Sequence, residues 1–149
     1  MSAAIEVIFF DLGDTLVGGE PLQLMPGAKD ALAQLHAKGV RLGIISNTGQ
    51  LTLDDLKAQI PVSFPWAEFE PGLIVLSSEV GVEKPAPGIF EAAISKAGIV
   101  AAKCLYCSES LLETFAAQRV GLRAARLQEP PQSDASALLP GLVGSGLLD

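Results

Sequence analysis

The spacing of apolar positions changes period several times, dividing the chain into alternating strand-like and helix-like segments. Residues 5–10, Ile5-Glu6-Val7-Ile8-Phe9-Phe10, form a nearly continuous β-rich run, the pattern of a strand buried on both faces. From Pro26 and Gly27 the period becomes helical, with Ala28, Ala31, Leu32 and Leu35 on one face and Gly39 as the stop. Residues 40–45 return to the strand pattern. Thr52 followed by Asp55 reads as a capping box for a short helix carrying Leu53, Leu56 and Ile60. An irregular stretch over 61–72 holds Phe64, Trp66 and Phe69, and residues 73–76 make a third strand. After Pro87, the spacing of Ile89, Phe90, Ala93, Ile94 and Ala97 predicts a helix that closes at Gly98. Residues 104–107 are a fourth strand, 111–120 a helix stopped by Gly121, and 123–127 a fifth strand. The tail, 128–149, contains Pro, Ser and Gly with Leu138, Leu139, Leu142, Leu147 and Leu148, and is expected as a short helix or a frayed end.

Strands alternating with helices imply an α/β fold: one domain over 1–149, its core over 5–127, with a parallel sheet of about five strands and helices on both faces. Ligands in such sheets bind at the carboxyl ends of the strands. The polar residues there are Asp11 and Asp14 after the first strand, Ser46 and Asn47 after the second, and Glu109 after the fourth. Lys84 lies in the loop leading from the third strand to the third helix. Clustered carboxylates repel one another and tend to share a hard cation such as Mg2+. A lysine beside such a cation, near helix N-termini, is a phosphate-binding arrangement. The pattern therefore predicts a metal-assisted phosphate site.

Composition narrows the setting. Hydrophobic residues at 49% and charged residues at 18% exclude a disordered chain, and no apolar run approaches a bilayer span. No export signal is visible, so a cytoplasmic protein without membrane association is expected. The net charge of −7, with no cluster of Lys or Arg, argues against nucleic acid as a partner and leaves any anionic substrate to be held locally. Cys104 and Cys107 have redox-pair spacing, but in a strand they point to opposite faces, and the only histidine is His36. Two buried thiols are the better reading.

Four segments resemble the motifs of the haloacid dehalogenase (HAD) superfamily. Phe9-Phe10-Asp11-Leu12-Gly13-Asp14-Thr15-Leu16 is similar to the first motif, and Gly43-Ile44-Ile45-Ser46-Asn47-Thr48 to the second. Gly81-Val82-Glu83-Lys84-Pro85-Ala86-Pro87 is similar to the third, and Leu105-Tyr106-Cys107-Ser108-Glu109-Ser110, with Glu113 beyond, takes the place of the acidic fourth. The resemblance implies a Rossmann-like fold and a phosphatase using an aspartyl-phosphate. It makes Asp11 the nucleophile and Ser46, with the Asn47 backbone N–H, the phosphate-binding group. Lys84 becomes the charge-neutralising residue. Asp11, the Gly13 carbonyl and Glu109 become the Mg2+ ligands, with Glu113 as an auxiliary.

Two positions depart from the pattern. Gly13 stands where the family carries the general acid/base aspartate, a group worth about 10²–10⁴ in rate. Asp14, one residue further on, is an auxiliary acid or a plain turn residue. Ser108-Glu109 replaces the commoner Gly-Asp, and Glu109 is equally readable as a helix N-terminal charge. Phe64 and Trp66 read as loop core and His36 as a surface residue.

No segment is long enough to hold the cap domain that usually seals such sites. A capless member implies a large substrate or a neighbouring copy that covers the site. The expectation is a weak Mg2+-dependent phosphatase acting on a phosphorylated small molecule or phosphoprotein. The alternative is a HAD-fold pseudoenzyme that binds phosphate, Mg2+ or a protein without turnover. Dehalogenation is the poorest fit, because it requires neither the cation nor the acidic fourth motif.

Overall fold

A computed structural model describes residues 4–127; the tail expected over 128–149 lies outside the described residues. The central sheet has five strands: β1 (Val7–Phe10), β4 (Arg41–Ser46), β5 (Ile74–Leu76), β6 (Cys104–Ser108) and β7 (Arg123–Arg126). Their order is β5-β4-β1-β6-β7, and every neighbouring pair is parallel. Side chains alternate across this sheet and build two cores. Ile8 and Phe10 of β1 join Leu42, Ile44, Leu105 and Cys107 on one face, beneath Ala28, Leu32 and Leu35 of α1 (Ala28–Ala37) and Leu56 of α2 (Leu53–Gln59). Val7 and Phe9 join Ile45, Cys104 and Tyr106 on the other. There they pack against Ile89, Phe90, Ala93 and Ala97 of α4 (Pro87–Ala97) and Ala117 of α5 (Leu111–Arg119). The period of two, with both faces covered, is why the central strands read as continuous apolar runs.

The predicted local devices are present. Thr52 Oγ1 accepts from the Asp55 N–H while Asp55 Oδ2 accepts from the Thr52 N–H, closing the capping box of α2. Gly98 closes α4 in the left-handed region, at φ 71°. Cys104 and Cys107 are free, buried and on opposite faces; burial pushes their thiols up, to about 11 and about 12. Phe64 is buried with its ring 4.5 Å from that of Trp66, as loop core.

Two small elements appear where only loops were expected. A hairpin of β2 (Val17–Gly18) and β3 (Gln23–Leu24) follows the first strand, and a single turn, α3 (Ser77–Val80), follows β5. Both are too short for a period to show in sequence. The first strand begins at Val7 rather than residue 5, although Glu6 still bonds both neighbours, through Lys103 O and the Arg41 N–H. Among the described residues, nothing larger than the hairpin separates β1 from α1. Only α2, short 3-10 turns, β5 and α3 lie between β4 and the Lys84 loop, so no cap domain is inserted. No helix among the described residues is long and apolar enough to cross a membrane.

Gly43 fixes how closely the strands and the turn before β5 pack. A Cβ there stands 2.6 Å from the Leu73 carbonyl oxygen and 2.7 Å from Phe9 Cδ1. Gly43→Ala is expected to destabilise the fold by about 1–3 kcal/mol, as an overpacked core does, read as a lowered urea midpoint.

Candidate active site

Three neighbouring strands end within two residues of one another. Phe10 of β1 pairs with Ile44 of β4 and with Cys107 of β6, so Asp11, Ser46 and Ser108 emerge together at the carboxyl edge. The Asp11 N–H continues the ladder to Cys107 O at 2.9 Å, which ties the aspartate's backbone to the sheet. Its carboxylate is buried and fully engaged: Oδ1 accepts from Lys84 Nζ and the Leu12 N–H at 2.7 and 2.8 Å, and Oδ2 accepts from Ser108 Oγ at 3.2 Å.

Lys84 comes from the loop before α4, and its backbone is clamped to the end of β4. Asn47 Oδ1 accepts from the Lys84 N–H at 2.7 Å, and Asn47 Nδ2 donates to the Lys84 carbonyl at 3.0 Å. The Lys84 side chain is 2% exposed, and its ammonium also meets Tyr106 OH at 3.0 Å and Glu113 Oε1 at 2.9 Å. Glu113 thus stands on the lysine, not beside Glu109. Glu109 Oε2 instead accepts from Thr15 Oγ1 at 2.8 Å. Glu113 lies in the first turn of α5, which is capped by Ser110 Oγ accepting from the Glu113 N–H, whereas Glu109 precedes that cap. The loop after β4 is pinned by the Thr48 N–H on Ser77 Oγ at 2.8 Å.

Asp14 takes no place in this cluster. It adopts φ 62° on an exposed turn, and its Oδ1 leans over Gly18. At Gly13, an added Cβ would meet nothing within 4 Å, so the position where an acid is missing is open space. The sequence singles out Asp11, Ser46, Asn47, Lys84, Glu109 and Glu113 but assigns no role to Thr15, Ser108 or Tyr106. For Tyr106 a signal existed: a tyrosine inside a fully buried strand needs a partner for its hydroxyl.

Asp11 titrates from an unusual position. Burial raises its carboxyl from 3.8 to about 6; Lys84 pulls it down, and Glu113 and Glu109 add to the rise. Two carboxylates on one ammonium, with Glu109 near enough to raise Asp11 as well, favour a second cation. The donors available, Asp11, Glu109 and the Gly13 carbonyl, are all hard oxygens, and the turn's own hydrogen bonds use the carbonyls of Leu12 and Val17 instead. No group of three or more His, Cys, Asp or Glu side chains among the described residues is arranged to hold a metal. A cation would therefore rest on two carboxylates, a carbonyl and water. That donor set suits Mg2+, which keeps several waters and takes few protein ligands.

The haloacid dehalogenase-like hydrolase family model matches residues 3–121. Protein CbbY of Rhodobacter capsulatus is 30% identical over 109 residues, 72% of this chain and 47% of its own length. Phosphoglycolate phosphatase of Yersinia pestis is 30% identical over 99 residues, 66% of this chain and 40% of its own. The chain thus spans about half, or less, of the length of these two relatives. A HAD family enzyme of Bacteroides thetaiotaomicron, solved with magnesium and inorganic phosphate, shares the fold. Its TM-score is 0.70 at 18% identity, over 91% of this chain and 99% of that one.

The raised Asp11 carboxyl links folding to protons. Between 3.8 and about 6 the folded chain holds a proton that the unfolded chain has released, so stability falls as pH rises through that window. Urea denaturation in chelator, compared between wild type and Asp11→Asn from about pH 4 to 7, is expected to show this loss in the wild type alone.

Proposed function

The chain belongs to the haloacid dehalogenase-like hydrolase family, and we propose that it is a cytoplasmic, Mg2+-dependent phosphatase working through an aspartyl-phosphate on Asp11. The observation that carries this reading is the buried Asp11 carboxylate at the end of the central strand, 2.7 Å from the Lys84 ammonium. Two free buried thiols suit a reducing compartment.

In this mechanism an Asp11 oxygen attacks phosphorus, the P–O bond to the leaving group breaks, and water later cleaves the acyl phosphate to regenerate the carboxylate. Lys84 offsets charge on the nucleophile and the entering phosphoryl group. Ser46 and the Asn47 backbone N–H receive phosphoryl oxygens. Asn47 also keeps the Lys84 backbone in place through its side chain. Asp11, the Gly13 carbonyl and Glu109 would hold Mg2+, with Thr15 steadying Glu109. When bound, the cation supplies charge stabilisation and orientation at the phosphoryl group.

Gly13 sets the substrate class. With no side-chain acid to protonate the leaving group, esters whose leaving group is already a weak base react best: acyl and aryl phosphates, on a small molecule or a phosphoprotein. Without an inserted cap domain the site accommodates a large substrate, or a neighbouring copy of the chain closes it. The same glycine supports a second reading, a HAD-fold domain that binds phosphate, Mg2+ or a protein without turnover.

Hydrolysis of an aryl and acyl phosphate series, with and without Mg2+, separates the two. The expected result is turnover that needs Mg2+ and Asp11 and climbs steeply with leaving-group acidity. No turnover above the Asp11→Asn control for any ester transfers the assignment to the binding domain. Gly13→Asp, which enters open space, is expected to raise alkyl phosphate turnover by up to about 10²–10⁴. No gain on any alkyl ester removes the missing acid as the limiting step.

A further inference from the structure

The lysine ammonium has three N–H donors, and the folded chain supplies three acceptors: Asp11 Oδ1 at 2.7 Å, Glu113 Oε1 at 2.9 Å and Tyr106 OH at 3.0 Å. The phenol is not a passive neighbour. Its own proton goes to Glu113 Oε1 at 2.6 Å, so Lys84, Tyr106 and Glu113 close a ring of hydrogen bonds. Burial, with Asp11 and Glu113 nearby, pushes the phenol far above its usual range and keeps it a donor. Tyr106 is wholly buried in β6, and its ring meets that of Phe90 edge-on at 5.2 Å, so the hydroxyl has a fixed address. At 2% exposure the Lys84 side chain leaves little room for water to replace a lost partner.

We propose that Tyr106 is a positioning residue for Lys84: its phenol oxygen takes one ammonium N–H and thereby aims another at Asp11. Glu113 on α5 and Asp11 just after β1 pull the ammonium in two directions, and the phenol supplies the third contact that leaves it one orientation. The kinetic consequence rests on the phosphatase reading, whereas the positioning itself does not.

The test is Tyr106→Phe in the full chain. It keeps the ring, its packing on Phe90 and its place 5.6 Å from Lys84 Nζ, and removes only the oxygen. With Mg2+ and an aryl phosphate, kcat is expected to fall about tenfold to a hundredfold, the worth of one hydrogen bond to a charged group. KM is expected to stay within about twofold, the signature of an interaction made at the reacting centre rather than in binding. A second readout needs no turnover: the Lys84 ammonium resonance in 15N-edited NMR, assigned by its loss in Lys84→Met. It is expected as a slowly exchanging signal in the wild type that broadens or vanishes in Tyr106→Phe. An unchanged signal, no protected signal in the wild type, or undiminished kcat in an active enzyme overturns the proposal. If the wild type shows no turnover above Asp11→Asn, the phosphatase reading fails separately, and the ammonium signal alone decides the role of Tyr106.

Discussion

The structure is organised around a buried contact between one carboxylate and one ammonium, Asp11 and Lys84. Removing two charges from water is costly, and their attraction repays that cost only when the remaining donors and acceptors are also satisfied. Here they are satisfied from every side. The β1 ladder holds the aspartate, Ser108 at the end of β6 takes its second oxygen, and Asn47 after β4 clamps the lysine backbone. Tyr106 and Glu113 take the rest of the ammonium. No buried side-chain polar atom among the described residues lacks a hydrogen-bond partner. The three central strands and α5 thus meet at one ion pair, and the sheet's layout and the site's layout are one constraint.

That convergence explains what was legible in the sequence. Asp11, Ser46 and Glu109 each stand at or just after the end of a strand whose apolar run is self-evident, so the rule about carboxyl ends of parallel strands points to them without knowledge of contacts. Lys84 was legible because Pro85 and Pro87 mark the loop and helix start that carry it. What sequence did not yield was partnership. Thr15 and Glu109 are 94 residues apart, and Asp11 and Ser108 97 apart; nothing local reports that they touch. Glu113 was read with Glu109 because the two share a motif, yet its position one turn into α5 brings it to the lysine. The β2–β3 hairpin and α3 escaped for a simpler reason, since elements of two to four residues carry no period.

The glycine in the first motif separates two tasks that family members usually combine. Lys84, Asp11 and Ser108 form a mutually bonded set, whereas a Cβ at Gly13, to which the proposed mechanism would look for a proton donor, would meet open space. Charge stabilisation is commonly the larger catalytic contribution, and proton transfer is the part that substrate chemistry can most readily replace. A site of this composition would be selective through leaving-group basicity before any pocket shape comes into play.

The sheet register described for β1 has a further consequence. Phe10 is level with both Ile44 and Cys107, and side chains alternate with a period of two. A one-residue slip would send Phe9 and Phe10 to each other's cores and swing Asp11 away from Lys84. Misassembled molecules would therefore be chemically silent, so a reagent that labels the Asp11 carboxylate through its contact with Lys84 would count correctly folded chains, as an active-site titration does.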